Sequence, residues 1–211
     1  SSDGSYGSWS IDGSSSYTNA DGTSGTHNAD GSGSWMDGQG NSAEWASDGS
    51  TNWTGSDGTS GYYNVDGSWG MTDADGNSEV WSSDGQSVTY TTSDGTVTVT
   101  DPEYSAGTTT NSDGSVDTWA EDGSSTHQDV DGTLYSYNFD GSSNITHADG
   151  STESYDIDGN HTWNGTDGSS YTNNVDGSGS SVSTDGTSST WDTELHVEWT
   201  SVDGSYGSYD N

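Results

Sequence analysis

The chain contains no lysine and no arginine against 35 acidic residues, a formal net charge of −35 at pH 7. A polypeptide without fixed cations cannot neutralise phosphates, which excludes nucleic acid as a partner. The same argument excludes anionic membrane surfaces. It also leaves trypsin nothing to cleave, a property suited to an exposed extracellular molecule. Cysteine is absent as well, so disulfides, thiolate ligands and thiol nucleophiles are ruled out. Proline and phenylalanine occur once each, at Pro102 and Phe139, and only 23% of residues are hydrophobic. That fraction lies below the range of ordinary globular cores. No leader peptide or membrane-spanning run is legible.

What fills this sparse background is a ruler. Asp-Gly recurs every nine residues at Asp3, Asp12, Asp21 and Asp30, from Asp48 to Asp84, from Asp113 to Asp185, and at Asp203. Gln39-Gly40, Tyr104-Ser105 and Glu194-Leu195 fill slots where the pair is missing. Two leading residues, 23 units of nine and two single-residue insertions, near Ser93 and Pro102, account for all 211 positions. A short fixed period means one structural unit copied along an axis, each copy contacting its neighbours. Residues 1–211 therefore read as one nonapeptide-repeat domain, a segment of a longer array.

Numbering each unit from its Asp, Ser or Thr usually follows Asp-Gly at position 3, and position 9 is often Ala, Val, Ile or Phe. Asp-Gly flanked by Ser and Thr is turn chemistry, and the remainder, rich in Thr, Tyr, Trp, Val and Ser, reads as a short extended arm. The aromatics reveal a doubled period. Odd units place the large residue at position 7, as in Trp9, Trp45, Tyr63, Trp81, Trp119, Tyr137, Tyr155 and Trp191. Even units place it at position 6, as in Tyr17, Trp35, Trp53, Trp163 and Trp199.

Two all-β architectures fit that eighteen-residue period. The first expectation is a two-sheet β-solenoid whose coil joins two unlike nonapeptides. Because strand residues alternate faces, its positions 5, 7 and 9 point inward. The position-7 aromatics then form a core column beside the apolar position 9, and the position-6 aromatics an outer one. The alternative is a long antiparallel β-meander with two-residue Asp-Gly hairpin turns. In the solenoid the aspartates stack at strand spacing, which raises their mutual repulsion and invites a cation.

Candidate cation ligands are visible in Asp73-Ala74-Asp75-Gly76-Asn77, Asp129-Val130-Asp131-Gly132-Thr133 and Asp156-Ile157-Asp158-Gly159-Asn160. Alternating acids before a Gly resemble the middle of a calcium loop, which implies Ca2+ at Asp73, Asp75, Asp129, Asp131, Asp156 and Asp158. Ordinary turn composition explains the same residues without a metal, and no cofactor is required. The nonapeptide period also resembles the repeats-in-toxin β-roll, though its G-G-x-G-x-D pattern is missing, and more distantly YD or Rhs-type repeats. The Asp-Gly-Ser/Thr tandem itself resembles arrays in large bacterial surface and adhesin-like proteins, which implies an extracellular structural role.

Catalytic residues do not stand out. His27 and His127 occupy aromatic slots, and Ser, His and Asp are too abundant for a triad to mean anything without geometry, so no enzyme is expected. Asn52-Trp53-Thr54, Asn144-Ile145-Thr146 and Asn164-Gly165-Thr166 are N-glycosylation sequons. The resulting expectation is a subunit or segment of an extracellular fibre, filament or adhesin stalk that associates with itself or through divalent cations. A carbohydrate-binding module using the outer column is the alternative. Ice binding, resting on the Thr96-Val97-Thr98-Val99-Thr100 run, comes third.

Overall fold

In a computed structural model that describes residues 3–210, every nonapeptide is one strand and one turn. The chain divides into two compact units, residues 1–107 and 108–211. The first contains β1 (Tyr6–Trp9), β2 (Ser15–Thr18), β3 (Ser24–His27), β4 (Gly33–Met36), β5 (Ser42–Trp45), β6 (Thr51–Thr54), β7 (Ser60–Tyr63), β8 (Trp69–Thr72), β9 (Ser78–Trp81), β10 (Val88–Thr91) and β11 (Val97–Thr100). After β12 (Gly107–Thr110), at the division, the second contains β13 (Val116–Trp119), β14 (Ser125–Gln128), β15 (Leu134–Tyr137), β16 (Ser143–Thr146), β17 (Thr152–Tyr155), β18 (His161–Asn164), β19 (Ser170–Asn173), β20 (Gly179–Val182), β21 (Ser188–Trp191), β22 (His196–Thr200) and β23 (Tyr206–Asp210). Within each unit every strand pairs antiparallel with its sequence neighbours, as in Trp9↔Ser15 and Trp119↔Ser125. The all-β repeat is thus present, in the form of the meander. The parallel pairing of alternate units that a two-sheet solenoid requires is not what these strands make.

The turn explains why. Gly13 N donates to Ser10 O at 3.0 Å and Ser10 N donates to Ser14 O at 2.8 Å, closing the chain back on the strand it has left. Ile11, Asp12 and Gly13 form a three-residue loop, a type I turn followed by a left-handed Gly that makes a bulge. Only the Gly has positive φ, +92° at Gly13, so the two-residue Asp-Gly turn is corrected to this longer form. A type I′ turn would need positive φ at both residues. Five residues of connection plus four of strand make the nine.

Both insertions fall in turns, immediately after the left-handed residue. The first extra residue is Gln86, in a loop closed by Ser82 N to Ser87 O, rather than a residue near Ser93. The second is Ser105, so the turn pair in that slot is Glu103-Tyr104, not Tyr104-Ser105, with Asp101 N bonded to Ala106 O. Tyr104 and Leu195 take the left-handed conformation at φ 60° and 63°, a costly one for residues with a Cβ. Tyr104 stacks on Tyr90, centroids 6.1 Å apart, and the two hydroxyls are hydrogen-bonded. Leu195 has no ring to stack and is 49% exposed. Leu195→Gly is therefore expected to stabilise the second unit by about 1 kcal/mol, read as a higher urea midpoint. Tyr104→Gly, which forfeits the stack, should gain nothing; equal gains would contradict this account.

Antiparallel pairing also explains the doubled period. Each unit reverses direction, so position 7 of one strand faces position 4 of the next, and position 5 faces position 6. Position 7 of odd units and position 6 of even units consequently share one face. The expected inner and outer columns are both on it. Among the described residues of each unit no further strands cover them, and Val88 is the only buried hydrophobic residue among those described. The residues assigned to a core, Trp9, Trp45, Tyr63, Trp81, Trp119, Tyr137, Tyr155 and Trp191, are surface residues, from half-buried to exposed, with Trp9 at 74%.

Position 9 is corrected as well. It is the first turn residue, not an inward strand residue, and Ile11 is 98% exposed. Its apolar character serves the edge. A Cβ built on Gly114 would meet Val130 Cγ1 at 3.7 Å, and one on Gly159 would meet Val175 Cγ2 at 3.7 Å. Val130 and Val175 each lean on the turn two strands away.

Candidate binding face

In the first unit one face carries Trp9, Tyr17, Trp35, Trp45, Trp53, Tyr63, Trp69 and Trp81, as the register places them. In the second unit Trp119, Tyr137, Tyr155, Trp163, Trp191 and Trp199 share a face in the same way. Every tryptophan of the chain therefore lies on the aromatic face of its unit. Both predicted columns are brought together, as two rows of one surface.

Glycine sets how the rings lie. A Cβ added at Gly33 would stand 2.3 Å from Trp45 Cζ2, one at Gly61 2.6 Å from Trp53 Nε1, and one at Gly179 2.3 Å from Trp191 Cζ2. Those indoles occupy the space a side chain would fill, laid across the facing glycine. Where the facing residue is large, rings stack instead. Trp69 and Trp81 lie 5.6 Å apart at 12°, and Trp163 and Tyr171 5.7 Å apart at 18°. Such pairs contribute beyond their buried area. Trp69, Tyr90, Tyr135 and Tyr171 belong to this face and were missed by the position 6 and 7 rule. The parity of an antiparallel register, applied to positions 4 and 5, would have found Trp69, Tyr135 and Tyr171, and placing the first insertion at Gln86 would have put Tyr90 at position 6.

The opposite face is hydroxyl-rich. Ser8 and Ser16 share a hydrogen bond at 2.8 Å, Thr26 and Ser34 at 2.7 Å, and Thr118 and Thr126 at 2.6 Å. Asn52, Asn144 and Asn164 all lie here and are exposed. A fourth sequon, Asn160-His161-Thr162, was overlooked. Its asparagine is tied into a turn, donating to Asp156 Oδ2 at 2.7 Å and accepting from Val175 N at 3.0 Å. In the Thr96–Thr100 run, Thr98 and Thr100 face the aromatic side and Val97 and Val99 the other.

The acidic turns are closed networks. Asp66 Oδ1 accepts from Ser68 N at 2.9 Å and Ser68 Oγ at 2.7 Å. These bonds, the hydroxyl first, hold its carboxyl below the usual carboxylate range. Of the candidate calcium ligands, Asp73 accepts from Asp75 N, Asn77 N and Asn77 Nδ2, and Asp156 from Asp158 N, Asn160 N and Asn160 Nδ2. Asn77 and Asn160 then accept from Ser93 N and Val175 N of the next turn on the same edge, so the motif fastens turn to turn. Asp131 accepts from Thr133 N, and Asp129 faces His127. Asp75 and Asp158 are exposed at the turn tips. Among the described residues no group of three or more His, Cys, Asp or Glu is arranged to hold a metal.

Histidines cluster with acids in the second unit. His127 Nδ1 lies 2.6 Å from Asp117 and its Nε2 3.1 Å from Asp129, and these two carboxylates, Asp117 first, raise its pKa. Glu153 receives His147 at 2.9 Å and His161 at 3.0 Å, contacts that lower its pKa, with His147 the larger cause.

No protein-family model and no curated protein sequence matches the chain. Solved structures do. A point mutant of the TCP10 domain of Danio rerio CPAP superposes with a TM-score of 0.55 at 20% identity, covering 82% of this chain and 95% of that one. The TCP domain of Drosophila melanogaster SAS-4, solved in complex with a proline-rich motif of Ana2, superposes at 0.50 with 16% identity, covering 70% and 87%. The likeness is one of fold.

Proposed function

We propose that this protein is an extracellular structural repeat, a segment of a surface fibre or adhesin stalk, that works through its aromatic face. The observation that supports this most directly is the sorting of the tryptophans, within each unit, onto one face of an antiparallel sheet, with hydroxyls on the opposite face. A layer of this kind has no interior in which to build an enclosed reaction site. What it offers is backbone ladders for stiffness and a long surface for contact. The absence of trypsin sites suits exposure outside a cell. The net charge of −35 keeps copies apart in solution, so lateral association would depend on a bridging cation, with the exposed Asp75 and Asp158 at the turn tips as donors. Electron micrographs of native material with and without calcium test the reading. Fibres with a repeat near the strand spacing, or bundles that form only with calcium, support it; monodisperse compact particles under both conditions count against it.

A further inference from the structure

We propose that the aromatic face of the first unit binds a linear, uncharged, β-1,4-linked polysaccharide laid across the strands. This deepens the reading above by naming what the face holds, and it rests on that reading only for the exposure of the face.

Spacing comes first. Tyr17, Trp35 and Trp53 occupy the same position of alternate strands β2, β4 and β6, so they form a row with rings two strand spacings, about 9.6 Å, apart. That is close to the length of one disaccharide in an extended β-1,4 chain. Such a chain presents the same apolar C–H face once per disaccharide, and each ring in the row meets an equivalent sugar. Between the rings the floor is low: the cleft beside Tyr17 and Trp35 includes Gly25 and Ala43 in its lining.

Ring posture comes second. A Cβ on Gly25 would stand 2.6 Å from Tyr17 Cε1, and one on Gly61 2.6 Å from Trp53 Nε1. The rings of Tyr17 and Trp53 thus lie over the backbone of the neighbouring strand, and Trp35 faces the small Ala43. The three side chains are 38–41% exposed.

Charge selects the class of ligand. With no lysine or arginine, uronate-bearing or sulfated chains are repelled, and so is a second copy of this protein. A neutral sugar meets no such cost and needs only C–H contact with the rings. A cationic peptide would be drawn by the acidic turns and held by cation–π contact. Those carboxylates, however, sit at the strand ends and already accept hydrogen bonds, as Asp48 does from Ser50 N and Oγ.

Calorimetry and tryptophan emission with cellohexaose, then with a soluble glucan, test the proposal on the intact protein. Binding by the wild-type chain, unchanged between low and high salt, is expected. Trp35→Ala and Trp53→Ala should each weaken it about tenfold, Trp35→Tyr should retain most of it, and Asn52→Ala on the opposite face should leave it unaltered. Circular dichroism of each variant separates lost contact from lost fold. No glucan binding by the wild type overturns the proposal, as does binding that Asn52→Ala impairs as much as Trp35→Ala. Salt-sensitive capture of polylysine alone, or of a proline-rich peptide alone, overturns it in favour of that partner. Fibres in micrographs alongside absent glucan binding would sink this proposal and spare the scaffold reading.

Discussion

Gly33→Val is expected to cost the first unit about 2–3 kcal/mol, the range for forcing bulk into a filled site. The added Cβ would stand 2.3 Å from Trp45 Cζ2 and 2.4 Å from Thr26 O. The indole can lift away, but the carbonyl belongs to the neighbouring strand and can retreat only by loosening the ladder at His27↔Gly33. A second substitution separates the two causes. Trp45→Ala in the Gly33→Val background should recover part of the loss and not all, because it removes the ring and leaves the carbonyl. Gly179→Val should behave alike in the second unit, facing Trp191 Cζ2 and Thr172 O, both at 2.3 Å. Urea midpoints read the effect. A midpoint unmoved by Gly33→Val would mean that the indole does not lie on this glycine.

Raising ionic strength should stabilise the protein more than any single substitution. Thirty-five acids with no lysine or arginine repel at every spacing, and between about 0.01 M and 1 M salt the screening length falls from about 30 Å to about 3 Å. A rise in Tm on the order of 10 °C is expected across that span. A flat response would show that the turns already hold the charges too far apart to matter.

Acidity acts separately. The carboxyls of Asp66 and Asp140 are held below their ordinary value of 3.8 by their serines. Their contribution is therefore complete above 3.8 and is lost as pH falls through the lower folded value. His127 runs the other way. Raised above 6.5 by Asp117 and Asp129, it contributes fully below 6.5 and fades as pH climbs through its folded value. Greatest stability is expected between those windows.

Much of this architecture is legible in the residues. The nine-residue beat, the turn at Asp-Gly, the short strands and the eighteen-residue aromatic period are all found. What misled was the meaning of the period. Unlike neighbours suggested two kinds of arm in one coil, whereas reversal of direction makes Trp9 at position 7 and Tyr17 at position 6 equivalent. Position 9 misled for a related reason. Val130 and Val175 carry the residue type of an interior, yet they sit in turns, where their contacts run along the edge to Gly114 and Gly159, a relation that strand alternation cannot express. The turn-to-turn bonds of Asn77 and Asn160 were equally hidden, because they join residues fifteen or sixteen apart that only the meander brings side by side. Of the candidate surface, all the tryptophans but Trp69 were found and their shared side was not.

A sheet one residue thick decouples its two sides. Alternate side chains of a strand never meet through the layer, so a substitution on the hydroxyl side leaves the ring side unaware of it. Most folded chains share a single interior, where a change for a new ligand disturbs everything packed behind it. Here selection could redraw one surface repeat by repeat while the reverse kept its own task, with only the turns held in common.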